Sequence, residues 1–190
     1  VFIDYITLML INMVAGLFLL ADYVYRGIDS DRQKRWVPGF GITGAIALTT
    51  GLHMTFTWPI TGSFNIAFGE TTLLFGILFI GSAIALSFGW DLATLAIYAF
   101  FAGSVAIVIG IRIINLGMTQ QPLMSGIGFI LTGLSGVCAA PTLYWKTNRT
   151  WRLIGVAVLI IAALIWAFTG YLAYWNHLES FQKWVPTPMR

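Results

Sequence analysis

Charge is scarce in this sequence and cysteine is almost missing. Of 190 residues only 9% are charged, against 58% that are hydrophobic, which leaves too little polar surface for a domain facing water on all sides. Lipid must be the solvent for most of it, and a separate soluble domain is excluded. The one cysteine, Cys138, lies in an apolar run, so an intramolecular disulfide and a Cys-rich metal site are both ruled out. No lysine falls inside an apolar run, which excludes a retinal Schiff base. Ser-Lys pairs, paired aspartates and a His-Glu-x-x-His motif are also lacking, so no catalytic activity of its own is expected. A proton or ion pump is poorly supported, because no carboxylate falls at the expected bilayer midplane and Asn12 is the most polar side chain there.

What is present is a series of apolar stretches. At 1.5 Å per helical residue they are long enough for a hydrocarbon core of about 30 Å. Runs of this length exclude a barrel, whose strands alternate apolar and polar residues over roughly ten positions. The fold class is therefore all-α, a polytopic transmembrane bundle of six helices in a single domain over residues 1–190. The spans are expected at about 3–24, 38–57, 70–89, 92–117, 123–144 and 153–176. The start, Val1-Phe2-Ile3-Asp4, has no basic segment and no cleavage site follows, so the first span is expected to be retained.

Seven of the ten basic residues fall in two connections, Arg26, Arg32, Lys34 and Arg35 in the first and Lys146, Arg149 and Arg152 in the fifth. The positive-inside rule makes that side cytoplasmic and leaves both termini outside. A net charge of +3 carried in short loops reports topology and gives no nucleic-acid partner. Asn148-Arg149-Thr150 then lies on the cytoplasmic side, where its glycosylation signal is void. Trp58, Trp90, Trp145, Trp151, Trp175 and Trp184 gather near span ends as an aromatic belt. Gly39, Gly41 and Gly44, and Gly126, Gly128, Gly133 and Gly136, are read as close helix-packing positions.

At an offset of 87 residues, Asp4, Thr7, Leu8, Ala15 and Gly16 fall on Asp91, Thr94, Leu95, Ala102 and Gly103. The same shift lays Gly39, Gly41, Thr55 and Trp58 on Gly126, Gly128, Thr142 and Trp145. Three spans separate the copies, as in an inverted 3+3 repeat. Coincidence is the competing account, since Ala, Gly and Leu match cheaply and the third and sixth spans align poorly.

The ionisable groups on the cytoplasmic side have simple explanations. Asp22 and Arg26 are one turn apart and can pair, and Asp91 suits the start of the fourth helix. On the outer side Asp4, His53, Glu70, Arg112 and His177 all map to one leaflet, with His53 about 7 Å inside its helix end. Thr49, His53 and Thr57 form a polar stripe at successive turns that should avoid lipid. Three chemistries compete for this end. His53 and His177 with Glu70 or Asp4 suit zinc or copper; the two imidazoles can instead ligate a haem b iron axially. In the third account His53 bonds a threonine or backbone carbonyl, Arg112 pairs with Glu70, and His177 is solvated. No His-x-x-x-His or Glu-x-x-His spacing decides among them.

The second connection, residues 57–70, is unusually apolar for an exposed loop. Phe64, Ile66 and Phe68 alternate along it and are expected against a partner or folded onto the bundle. Gly51-Leu52-His53-Met54-Thr55-Phe56-Thr57-Trp58-Pro59, continuing through Gly62-Ser63-Phe64-Asn65-Ile66-Ala67-Phe68-Gly69-Glu70, resembles the hallmark of a prokaryotic membrane protein family, domain of unknown function 981. The tail His177-Leu178-Glu179-Ser180-Phe181-Gln182-Lys183-Trp184-Val185-Pro186 is similar to that family's ending. The resemblance implies a polytopic protein of a bacterial or archaeal plasma membrane and brings no established activity.

The expected function is that of an integral subunit of a larger membrane complex, respiratory or otherwise redox, holding a metal or haem near the outer face. Other membrane subunits or further copies of the chain are the expected partners, within the lipid bilayer. The alternative is a small-solute transporter or channel built on the inverted repeat, with Asn12, Thr49, Thr50, Ser104 and Thr132 along its path.

Overall fold

Turn residues set the ends of long helices. The computed structural model describes residues 4–185, among which there are seven α-helices and no strand. Helix α1 spans Tyr5–Asp22 and runs on through a π-helical turn, Tyr23–Gly27; a short 3-10 turn, Gln33–Trp36, leads into α2, Val37–Thr57. Pro38 stands in the first turn of α2, where its missing N–H costs nothing. A second π-helical turn, Asn65–Glu70, opens α3, Thr71–Phe88. Then follow α4 (Ala93–Leu116), α5 (Pro122–Val137), α6 (Ala139–Tyr144) and α7 (Arg149–Ser180). Gly89 and Gly117, at φ 72° and 59°, end α3 and α4 in the left-handed conformation that a residue without Cβ adopts freely. Trp58 ends α2 at φ 45° with a side chain to carry, a conformation that costs about 1–2 kcal/mol. The capping residue of α7 is Asn148, which accepts from Trp151 N at 3.1 Å.

Among the described residues four segments are long and apolar enough to cross a membrane: Tyr5–Gly27, Asn65–Phe88, Ala93–Leu116 and Arg149–Ser180. Three expected boundaries need correction. The third span starts at Asn65, since the π-helical turn takes up residues expected in the loop. The fifth is broken at Cys138 into α5 and α6, and the last is longer than expected at both ends. The expected start of the first span, residue 3, lies outside the described residues.

The helices pack in chain order. Contacts run from α1 to α2, α3, α4 and α5, then to α7, which returns to α1 and closes the circuit. The α2–α3 and α4–α5 seams are the closest. A Cβ added to Gly76 would lie 2.5 Å from Leu48 N, and one on Gly103 only 2.4 Å from Gly133 O, so backbone meets backbone there. The core divides in two. One cluster, around Met54, Ile113, Ala163 and Trp166, starts at the end that holds Asp4 and His177 and follows α1 to Val24; the other, around Tyr23, Trp36, Phe40 and Phe79, fills the opposite end. We call these the histidine end and the basic end.

Candidate functional site

At the histidine end, the start of α1 and the last turn of α7 meet through side chains. Asp4 Oδ2 lies 2.6 Å from His177 Nδ1, and Asp4 Oδ1 accepts from Thr7 Oγ1 at 2.7 Å. The same threonine oxygen is 3.2 Å from His177 Nδ1. A carboxylate facing Nδ1 fixes the imidazole with that nitrogen as donor, which leaves Nε2 for any other partner. Phe181 covers the ring edge-on, centroid to centroid 5.4 Å. His177 is thus paired, where the third account had it solvated.

The remaining candidates of this end are held differently. His53 is exposed and contacts its own helix: Thr57 Oγ1 donates to the His53 carbonyl at 2.7 Å and stands 3.4 Å from Nδ1. Its ring meets the Tyr5 ring edge-on at 5.5 Å. Thr49 donates to Ala45 O at 2.8 Å. Among the described residues no ion pair joins Arg112 to Glu70, which the third account had paired; the pairs are Arg26–Asp22, Arg152–Asp29 and His177–Asp4. Of the proposed metal or haem ligands only Asp4 and His177 are brought together by a bond. No group of three His, Cys, Asp or Glu side chains suited to a metal exists among the described residues.

The apolar connection after α2 is organised by a residue that sequence reasoning passed over. Asn65, almost wholly buried, donates to the carbonyls of Ile60 and Gly62 and accepts from Ile60 N at 3.3 Å. An asparagine folding back on its own turn is the signal that was available. The helical turn it starts puts Phe64 and Phe68 on one face, stacked at 6.3 Å with Phe68 buried, while Ile66 stays exposed.

At the basic end Arg152 clasps the end of α1. Its Nε donates to Val24 O at 3.0 Å, Nη2 to Tyr25 O at 2.7 Å and Nη1 to Asp29 Oδ2 at 2.5 Å. A guanidinium suits these carbonyls both as a fork of donors and as a cation at a helix C-terminus. The expected Asp22–Arg26 pair is present at 2.7 Å, and Asp22 also accepts from Trp36 Nε1 at 3.0 Å. Asp91 accepts from Ala93 N at 2.6 Å at the start of α4, as its position suggested.

Between the two core clusters lies a cavity of about 320 Å³. Residues from every helix line it, and none of them is charged. Its long axis follows the helices: on α1 and its π-helical turn the lining runs from Met9 to Val24 and on α4 from Leu95 to Ala106, lengths of roughly 22 Å and 16 Å at 1.5 Å per residue. One face of α4 makes the room with small side chains, Ala96, Ala99, Ala102, Gly103 and Ala106 at successive turns. Toward the histidine end the cavity stops at three of its own lining rings. Phe68 meets Phe129 edge-on at 5.3 Å, and Phe129 meets Trp166 edge-on at 5.2 Å. This space was missed at the level of sequence, where small residues read as packing positions.

No curated protein and no solved structure matches the chain. A family model described as protein of unknown function, DUF981, matches residues 1–180, and the chain belongs to that family.

Proposed function

We propose that this protein is a multi-pass membrane protein whose central cavity holds a long apolar molecule drawn from the bilayer. The observation that carries this is the uncharged cavity of about 320 Å³, drawn out over the length of the surrounding helices. Pockets for small molecules are concave and mostly apolar, and one this long and narrow suits an extended hydrocarbon chain. The bilayer supplies such chains at high concentration.

In this proposal the membrane is crossed six times, by α1, α2, α3, α4, the α5–α6 pair and α7. The basic end faces the cytoplasm of a prokaryotic cell and both termini lie outside, on the strength of the seven basic residues of the first and fifth connections. An inverted 3+3 repeat is part of the same proposal. It finds support in the packing circuit, because the α1–α7 contact has its counterpart in α3–α4.

Membership of a larger respiratory or redox complex remains our proposal for the setting. The apolar side chains on the outward face of α4, Ile97, Phe101 and Val108, are available to lipid or to other subunits. Solute transport is the weaker alternative, since Asn12 spends its amide on Thr43 O at 2.9 Å and gives no polar path.

The test is native mass spectrometry of the protein from mild detergent. A lipid-sized adduct on the 21.0 kDa chain is expected, and it should vanish in Ala102→Phe, which fills the cavity. A chain without adduct in both forms, or an adduct that survives Ala102→Phe, would overturn the proposal.

A further inference from the structure

The hydroxyl groups that line the cavity are not equivalent. Thr71 donates to Ala67 O, Thr132 to Gly128 O at 2.8 Å, Ser135 to Leu131 O at 3.0 Å and Thr142 to Cys138 O at 2.7 Å. Each returns its proton to its own helix one turn back, so none is offered to a ligand. Tyr23, Thr72 and Ser82 also line the cavity, and none of their hydroxyls has a hydrogen-bond partner among the described residues. Of these three only Thr72, which is 5% exposed, stands one turn from Phe68. Its oxygen is not one of the enclosed, unpartnered side-chain atoms, which are Tyr5 Oη, Thr55 Oγ1 and Trp151 Nε1, so it is open to the cavity and can donate to a ligand atom there.

The surroundings of Thr72 define the ligand further. Phe68 is one turn away, in the π-helical turn that opens α3, and begins the aromatic row Phe68–Phe129–Trp166. Trp166 is fixed in that row because its Nε1 donates to Thr132 Oγ1 at 3.0 Å. Rings in this arrangement favour a planar π-system as neighbour. With no charged residue in the lining, an ionised carboxylate or phosphate would be left uncompensated. The head must be neutral.

On the reading that the cavity holds a bilayer molecule, we propose that its occupant is a lipoquinone-type amphiphile. Its planar, carbonyl-bearing ring accepts a hydrogen bond from Thr72 Oγ1 beside Phe68, Phe129 and Trp166, and its hydrocarbon tail runs along the alanine face of α4 toward the basic end. Thr72 is thus a binding residue for the head, and Ala99 and Ala102 set the room for the tail.

Titration of the purified full-length chain with decylubiquinone, followed by tryptophan fluorescence, tests this. Saturable quenching is expected, weakened roughly three- to tenfold in Thr72→Val, the loss of one neutral hydrogen bond, and restored in Thr72→Ser. Duroquinone, which has no tail, should lose the same factor in Thr72→Val and bind Ala102→Phe unchanged, while decylubiquinone binding is lost in Ala102→Phe. If Thr72→Val binds decylubiquinone as well as the parent does while Ala102→Phe does not, the head assignment is overturned and the cavity reading stands. If palmitate saturates the site and decylubiquinone does not, a neutral ring is the wrong head. If neither probe binds, and the native chain carries no adduct, the cavity reading falls with it.

Discussion

Asp4 Oδ2 and His177 Nδ1 lie 2.6 Å apart across 173 positions of sequence, so one carboxylate–imidazole pair ties the start of the first helix to the last turn of α7. Both side chains keep partial exposure, 26% and 38%, which moderates the strength of the pair. A double-mutant cycle of Asp4→Ala and His177→Ala should return a coupling of about 0.5–1 kcal/mol in thermal or denaturant unfolding. Additive effects of the two substitutions would show that the pair does not hold the helices together.

Arg152 carries more. Its side chain is 18% exposed and satisfies two carbonyls at the end of α1 as well as Asp29. Arg152→Met removes donors from those carbonyls and the charge that faces Asp29, with an expected cost of about 2–3 kcal/mol. Arg152→Lys should recover little of this, because a single ammonium cannot span the fork that the guanidinium spans. Unfolding midpoints of the two variants, compared with Asp29→Asn, measure the difference.

Two glycines should respond in opposite ways to alanine. At Gly103 a Cβ would sit 2.4 Å from the Gly133 carbonyl oxygen, whereas at Gly155 nothing lies within 4 Å. Gly103→Ala must push α4 off α5 and should lower stability by about 1–3 kcal/mol. Gly155→Ala should be neutral or stabilising by roughly 0.5–1 kcal/mol through helix propensity. Equal effects of the two would remove close helix approach as the reason for glycine at position 103.

Topology is open to chemical labelling. With Cys138→Ala as background, Gln33→Cys should resist a membrane-impermeant maleimide added to intact cells and react once the inner face is exposed. Labelling from outside would invert the proposed orientation.

The ends of most helices were legible in the sequence because they rest on local chemistry. Pro38 and Pro122 open helices, and Gly89 and Gly117 close them, through backbone preferences that need no partner. The Asp22–Arg26 pair was legible for the same reason, both groups lying one turn apart on one helix. What escaped depends on contacts between distant segments. Asp4, Thr7 and His177 map to one end of the bundle, yet only helix rotation decides that these three bond while Glu70 and Arg112 do not pair. The alanine face of α4 has the same composition as a packing face, and only the placement of the other helices turns it into a cavity wall. Thr72 stands beside Thr71 in the sequence, and nothing local shows that one spends its proton on its own helix and the other does not.

Closure of the circuit by α7 against α1 also bears on how the chain is made. Every other neighbouring pair in the circuit is consecutive or separated only by the short α6, so each can associate as soon as its second helix has been made. The face of α1 that receives α7, where Ile11 meets Gly170, has to wait for the last helix. At ordinary synthesis rates that interval is roughly 10–30 s. If the chain crosses the bilayer as proposed, the future cavity is open along that side to lipid during this interval, and a hydrocarbon tail can enter it before α7 arrives.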